Sequence, residues 1–307
     1  MKINRDIVEE IMKHHFGEAP KEVREVPGGL VNFVFECAID GGRYIVRISE
    51  DQSRLQYFMK EQWAVKKAAE KGIPVPEILE VGNEAAEFPY MIVERGAGQP
   101  ALSFADRKRI VRQMGRLTAK INEIETSGYG HVFDWSSNQL SKNDTWKDYL
   151  EKELKLDERL AALERHKLLD EERMADLRRE CRELSDWSYK PHLCHADMRF
   201  KNVLVDDSGK VCLVLDWESC MSNIAPQWDL CVALDDLSLD EKEIFLEGYG
   251  LSPQEYRRIA PGVKALNIIN YAEFVENAAA LKNDDKRKKA FDMMRSRLRG
   301  ALDLYSL

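Results

Sequence analysis

"CHADMRFKNVLVDDSGKVCLVLDWE", residues 194–218, sets a histidine, a basic cluster and four aspartates between short apolar runs. Those runs have the length and residue types of buried strands. Polar groups placed beside such segments are costly unless something binds them. Asp197, Asn202 and Asp216 are therefore the residues to explain. Asp216 ends the run "VCLVL", which puts its carboxylate at a sheet edge, where ligands approach. Asn202 and Asp216 are two hard oxygen donors of the kind Mg2+ takes. Asp197 can orient a hydroxyl and accept its proton. Charge neutralisation, in-line positioning and a proton acceptor are together what phosphoryl transfer requires.

The surrounding chain has room for such a site. It has 307 residues, 44% hydrophobic and 33% charged, an ordinary globular composition for one large or two smaller domains. No apolar run approaches the ~18 residues of a membrane span, and the start, "MKINRDIVEEIMKHHF", has no apolar signal core. A cytoplasmic protein is expected. The six cysteines form no CxxC pair or zinc spacing and read as reduced, mostly buried thiols. A net charge of −8 argues against a nucleic-acid partner and is compatible with a cationic substrate. "DDKRKK" and "RSRLR" near the end read as solvated helix faces.

Residues 4–16 have the pattern of an amphipathic helix. "EVREV", "LVNFVFECAI" and "RYIVRIS" follow as strands, joined by "PGG" and by the hairpin signal "DGG" (Asp40 to Gly42). A helix over 54–71 and two strands, "EILEV" and "YMIVE", complete a small antiparallel sheet. "GAGQPALS" (96–103) is the natural linker. Beyond it, Ser103 is a candidate cap, and Ile110, Met114, Leu117, Ile121 and Ile124 mark a helical core face. Residues 145–165 and 170–185 read as charged helices. After Pro226 the chain is nearly all helical, with a start at Ser252-Pro253 and a break at Pro261. The expected division is a sheet-rich lobe, 1–95, and a larger helical lobe, 96–307. Clefts between lobes are common ligand sites.

With the order fixed, His195-Ala196-Asp197-Met198-Arg199-Phe200-Lys201-Asn202 and then Asp216-Trp217-Glu218 resemble the catalytic motifs of the aminoglycoside phosphotransferase and choline kinase group. Those motifs are H-G-D-x-x-x-x-N and D-[WF]-[EG]; Ala196 stands where the group usually has glycine. The resemblance implies an α+β, protein-kinase-like two-lobed fold with a small antiparallel-sheet N-lobe and a mainly helical C-lobe. It implies ATP, possibly GTP, and Mg2+ as cofactors. It makes Asp197 the catalytic base, Asn202 and Asp216 the metal ligands, and Glu218 a further metal or water contact. Asp229 in "PQWDL" would brace the catalytic loop by accepting backbone N–H bonds.

In the small lobe, "PGGLVNFVFE" is similar to the group's Gly-rich entry, with Gly28 and Gly29 approaching phosphates and Asn32 opening the next strand. Arg47 takes the place of the kinase lysine on the third strand. Glu61 has Tyr57, Phe58, Ala64 and Val65 as helical neighbours, so it faces the packed side, where an unpaired carboxylate is costly. Arg47 is its natural partner. "PYMIVERGAG" is similar to the hinge, whose backbone from Glu94 to Gly96 would meet the adenine.

The implied activity is transfer of the γ-phosphate to a hydroxyl of a small, cationic molecule, with an aminoglycoside first. Choline, an amino alcohol, a sugar, homoserine or a macrolide are other acceptors, and a nucleotide-binding pseudokinase or an HxD metal hydrolase are other readings. Asp235, Asp236, Glu273 and Glu276 are the acidic residues considered for a cationic acceptor. No Walker A sequence is present. No nucleic acid, membrane or obligate protein partner is expected.

Overall fold

The computed structural model describes residues 3–27, 32–39, 41–134 and 139–304. Packing divides the chain into two units. The first holds residues 1–105 and 200–218; the second holds 106–199 and 219–307.

In the first unit, helix α1 (Arg5–Phe16) starts where the Asn4 side chain accepts the Ile7 N–H at 3.2 Å, and it ends at Gly17 with φ 80°. Its buried face, Ile7, Val8, Ile11 and Met12, joins Phe35, Val46 and Ile92 of the sheet in one core. The sheet comprises β1 (Glu22–Glu25), β2 (Phe33–Ile39), β3 (Gly42–Ile48), β4 (Ile78–Gly82) and β5 (Tyr90–Glu94). Its order is β1-β2-β3-β5-β4, all antiparallel. Ile39 pairs with Gly42, the hairpin expected from "DGG"; Asp40 lies outside the described residues. Helix α2 (Arg54–Glu70) buries Phe58, Glu61, Ala64, Val65 and Ala68. Its intended apolar neighbour Tyr57 is instead 40% exposed.

The stretch 96–105 is more than a linker. Gln99–Pro100 (β6) pairs with the strand Val203–Val205, which pairs in turn with Val211–Val214. The Val214 N–H also donates to the Pro74 carbonyl at 2.8 Å. These ladders carry 96–105 and 200–218 into the first unit, so the packing units differ from a linear division at 95/96. Gly96 packs closely here: a Cβ would sit 1.8 Å from Leu213 Cδ1, so that side chain would have to move.

The second unit is mainly helical. Helix α3 (Arg107–Asn122) is capped by Asp106, whose carboxylate accepts the Arg109 N–H at 3.2 Å. The cap is therefore Asp106 rather than Ser103, which ends a preceding 3-10 turn. The buried face of α3, Ile110, Val111, Met114 and Ile121, follows the expected spacing. It crosses the helix Leu239–Tyr249 closely: a Cβ on Gly115 would lie 2.2 Å from the Phe245 carbonyl oxygen. The helix Pro253–Ala272 runs through Pro261 without the expected break. Proline costs one hydrogen bond there, but Val263, Leu266 and Ile269 of the following turns are fully buried and hold the helix together. Its start is as read: Ser252 and Glu255 form a capping box with Pro253 in the first turn. No described helix is long and apolar enough to cross a membrane. All six cysteines are free, and five are buried.

Candidate active site

The first unit assembles a cation held by carboxylates. Arg47 leaves the central strand β3, where it pairs with Val34 on one side and Met91 on the other. Its Nη1 donates to both oxygens of Glu61 at 2.8 Å. The two residues that helical spacing and strand position independently singled out are thus in contact. The other nitrogen, Nη2, donates to Glu218 Oε2 at 2.9 Å. Glu218 Oε1 accepts from Arg54 Nη2 at 3.3 Å, and its carbonyl accepts from Lys60 Nζ at 2.8 Å. Both carboxylate oxygens of Glu218 therefore lie on arginines, whereas the sequence suggested a metal or water contact.

Burial pushes the Glu61 carboxyl up, against the pull of Arg47. At Arg47, burial works against the charged form, but Glu61 and Glu218 outweigh it, and the guanidinium stays firmly cationic. Asp216 adds its charge to both residues of the pair. Arg54 and Lys60 were missed in the sequence. Arg54 had a signal: it lies seven residues before Glu61, two helical turns along the same face. Lys60, 1% exposed, had none.

Asn202 and Asp216 are brought near each other by the hairpin. Val203 pairs with Val214, and the Leu215 N–H donates to the Asn202 carbonyl at 2.8 Å. The thirteen residues between them thus close onto neighbouring backbone positions. Asp216 has φ 60°, a left-handed conformation that aspartate tolerates better than most residues. Among the described residues no group of three or more His, Cys, Asp or Glu could hold a metal alone. One carboxylate and one amide oxygen suit Mg2+, which takes few protein ligands and completes its shell with phosphates and water. The donor set fits that ion.

Gly28 and Gly29 lie outside the described residues. Asn32 is described, and its Oδ1 is buried with no hydrogen-bond partner among them. In the segment Glu94–Gly96, the Glu94 N–H donates to the Glu77 carbonyl and the Arg95 N–H to the Arg43 carbonyl, both at 2.8 Å. Those two amides are spent inside the sheet.

The second unit builds the Asp197 loop. Ala196 has φ 59°, so the position does require the left-handed conformation that glycine would supply freely. Asp229, 1% exposed, holds it there: its carboxylate accepts the Ala196 N–H at 2.7 Å, the His195 N–H at 3.2 Å and the Asn122 amide at 2.7 Å. Burial pushes the Asp229 carboxyl up, against these bonds. The Asp197 N–H donates to His195 Nδ1 at 3.2 Å, which places the neutral ring's proton on Nε2. Asp197 itself meets Arg199 Nε at 3.0 Å.

The four acidic residues considered for a cationic acceptor each face a basic side chain of the protein. Asp235 pairs with Arg297, and Asp236 lies 3.5 Å from Arg199. Glu273 pairs with Arg159 at 3.0 Å and Glu276 with Arg165 at 2.7 Å.

A kinase-like fold with this motif set has recognisable relatives. The phosphotransferase enzyme family matches residues 22–261. Hygromycin-B 4-O-kinase of Escherichia coli is 22% identical over 218 residues, 66% of this chain. The match spans only 59% of that relative's length. The solved aminoglycoside phosphotransferase APH(4)-Ia superposes with a TM-score of 0.68 at 18% identity, covering 98% of this chain and 99% of its own. An aminoglycoside 2'-phosphotransferase-IIIa mutant in its GDP complex gives a TM-score of 0.70 at 15% identity, covering 99% and 100%. The chain belongs to the phosphotransferase enzyme family. Its fold is α+β and kinase-like, similar to that of the solved aminoglycoside phosphotransferases.

Proposed function

We propose that the protein transfers the γ-phosphate of ATP or GTP to a hydroxyl of a small molecule, with an aminoglycoside as the first acceptor to test. The observation that carries the reading is the Asp229-held loop, which fixes the backbone N–H groups of His195 and Ala196, next to Asp197. Asp197 orients the acceptor hydroxyl and takes its proton. Arg47, fixed by Glu61, meets the nucleotide phosphates, and Gly29, Asn32 and the backbone of Glu94 to Gly96 complete the nucleotide site. Asn202 and Asp216 would hold Mg2+, which supplies charge neutralisation on the phosphates. The nucleotide belongs to the first unit, residues 1–105 with 200–218, and the acceptor to the helical remainder.

Relatives that bind ADP with hygromycin B, ADP with spectinomycin, or GDP with kanamycin support the class of both substrates. A second reading, a less basic alcohol such as a sugar or amino alcohol, draws support from the four carboxylates already paired with arginines. ADP release over hygromycin B, kanamycin, spectinomycin, choline and neutral sugars, at low and high salt, separates the two. A polycation held by carboxylates shows a KM that rises with salt. Release with neutral alcohols alone, insensitive to salt, sinks the aminoglycoside assignment. Asp197→Asn should cut turnover by about 10²–10⁴ with little change in nucleotide affinity by calorimetry. Wild-type turnover in that variant sinks the assignment of the base.

A further inference from the structure

Arg47 shares its face of the sheet with a second group of arginines. Directly paired residues of neighbouring strands lie on one face, and the register gives three rows on the face of Arg47. The first row holds Val34 and Arg47. The second runs Arg24, Glu36, Ile45, Val93 across β1, β2, β3 and β5. The third holds Arg43, whose carbonyl accepts the Arg95 N–H at 2.8 Å. Glu36, with a side chain 7% exposed, gathers three guanidiniums. Its Oε1 accepts from Arg43 Nη1 at 3.0 Å and lies 3.0 Å from Arg95 Nε, and its Oε2 accepts from Arg24. Bonds from Arg24 and Arg43 hold the Glu36 carboxyl below the ordinary glutamate range, so it stays charged. The side chains of Arg43 and Arg95 are nevertheless 56% and 50% exposed. A guanidinium has five N–H donors, so one carboxylate uses only a few of those gathered on it. Between Arg47 and this group, Val34, Ile45 and Val93 are apolar and only half-buried.

We propose that Arg43 and Arg95, gathered by Glu36, read the base of the nucleotide and select guanine over adenine. Arg43 stands four residues before Arg47, which is about 13 Å along a strand. A nucleotide laid on this face with its phosphates at Arg47 rests its purine on Ile45 and Val93 and brings the edge of the ring to the arginines. A guanidinium donates and cannot accept. Guanine presents two acceptors side by side, O6 and N7, the pair that arginine takes bidentately. Adenine presents N7 beside an amino group, a donor that a guanidinium cannot answer. The N–H groups of Glu94 and Arg95 are spent inside the sheet and add no donor of their own. The apolar strip accepts either ring and gives affinity; the arginines give the preference. Glu36 holds the forks in place beforehand, so less side-chain freedom is lost on binding. Guanine selection rests on the nucleotide site proposed above.

The test is calorimetry of the full chain with Mg2+ and GDP, IDP or ADP. IDP keeps O6 and N7 of guanine and lacks its 2-amino group. GDP and IDP should bind about 10-fold more tightly than ADP, the discrimination expected of one bidentate arginine contact. The double variant Arg43→Ala/Arg95→Ala should bring GDP to within about twofold of ADP and leave ADP itself near its wild-type affinity. Arg43→Lys should lose most of the preference, because it keeps the charge without the planar fork. A merely structural arginine would instead lower the melting temperature and weaken both nucleotides alike. Equal affinity for GDP and ADP, or tighter binding of ADP, overturns the proposal. So does a preference for GDP that IDP does not share, or one that survives in Arg43→Lys and in the double variant. Binding of no nucleotide by the wild-type chain overturns the nucleotide site itself, an outcome distinct from equal binding of both.

Discussion

Glu61 in the first unit and Asp229 in the second are both carboxylates almost out of reach of solvent, 5% and 1% exposed. Burial pushes both toward the protonated form. They are answered in different ways. Glu61 meets a guanidinium, which also reaches Glu218. Asp229 meets two backbone N–H groups and an amide. The first arrangement fixes a charge where a ligand can use it; the second fixes a turn of backbone. A buried carboxylate can therefore mean two things, and its partners decide which.

The difference should be visible in stability. Arg47→Ala leaves Glu61 unpaired beside Glu218 and the charge of Asp216, and breaking such a pair typically costs about 3–5 kcal/mol. Glu61→Ala should cost less, because Glu218 still faces Arg47. The double variant should be more stable than the sum of the two losses implies. Urea unfolding of all four proteins gives the coupling, and simple additivity would dissolve the distinction drawn here.

Asp229→Asn is the counterpart in the second unit. The amide keeps one acceptor and turns a donor toward the others, so about 1–3 kcal/mol should be lost for an unmet backbone group. It should also change the pH profile. A carboxyl raised in the folded state binds its proton more tightly there than in the unfolded chain. Its contribution is most favourable below the ordinary aspartate range and diminishes as pH rises from that range through the raised folded value. In Asp229→Asn this share of the decline disappears. An unchanged slope in unfolding free energy from acid to neutral pH would show that the bonds to Asp229, rather than its burial, dominate.

Ala196→Gly gives the smallest effect and the opposite sign. An alanine at φ 59° bears a left-handed conformation that glycine adopts freely. Relief of that strain exceeds the extra entropy of the unfolded chain, and a gain of about 0.5–1 kcal/mol is expected. A fall in melting temperature would mean that Asp229 imposes no strain on the loop.

Much of this was legible in sequence because it is periodic or local. The side of α2 that carries Glu61, the third-strand position of Arg47, the hairpin at Gly41 and the Ser252 capping box each follow from spacing over a few residues. The loop at Ala196 was half legible: its order of residues was plain, but no sequence pattern reports a dihedral. What failed were pairings between distant segments. Glu218 could not be seen to reach Arg54 and Lys60, more than 150 residues away. The four C-terminal carboxylates could not be seen to meet arginines elsewhere in the chain. Pro261 failed for another reason: local propensity was outweighed by the burial of the turns beyond it.

Cys212 is the one free thiol that is not fully buried, and its Sγ lies 3.3 Å from the Ala97 carbonyl. Burial raises the pKa of Cys37 and Cys181 to about 12 and that of Cys194 and Cys231 further still. Burial raises the Cys212 thiol too, so its partial exposure is what sets it apart, and an alkylating dye should reach it before the buried thiols, on the neighbour of the segment assigned to the nucleotide base. The native chain carries its own attachment point for a fluorescent reporter of nucleotide occupancy.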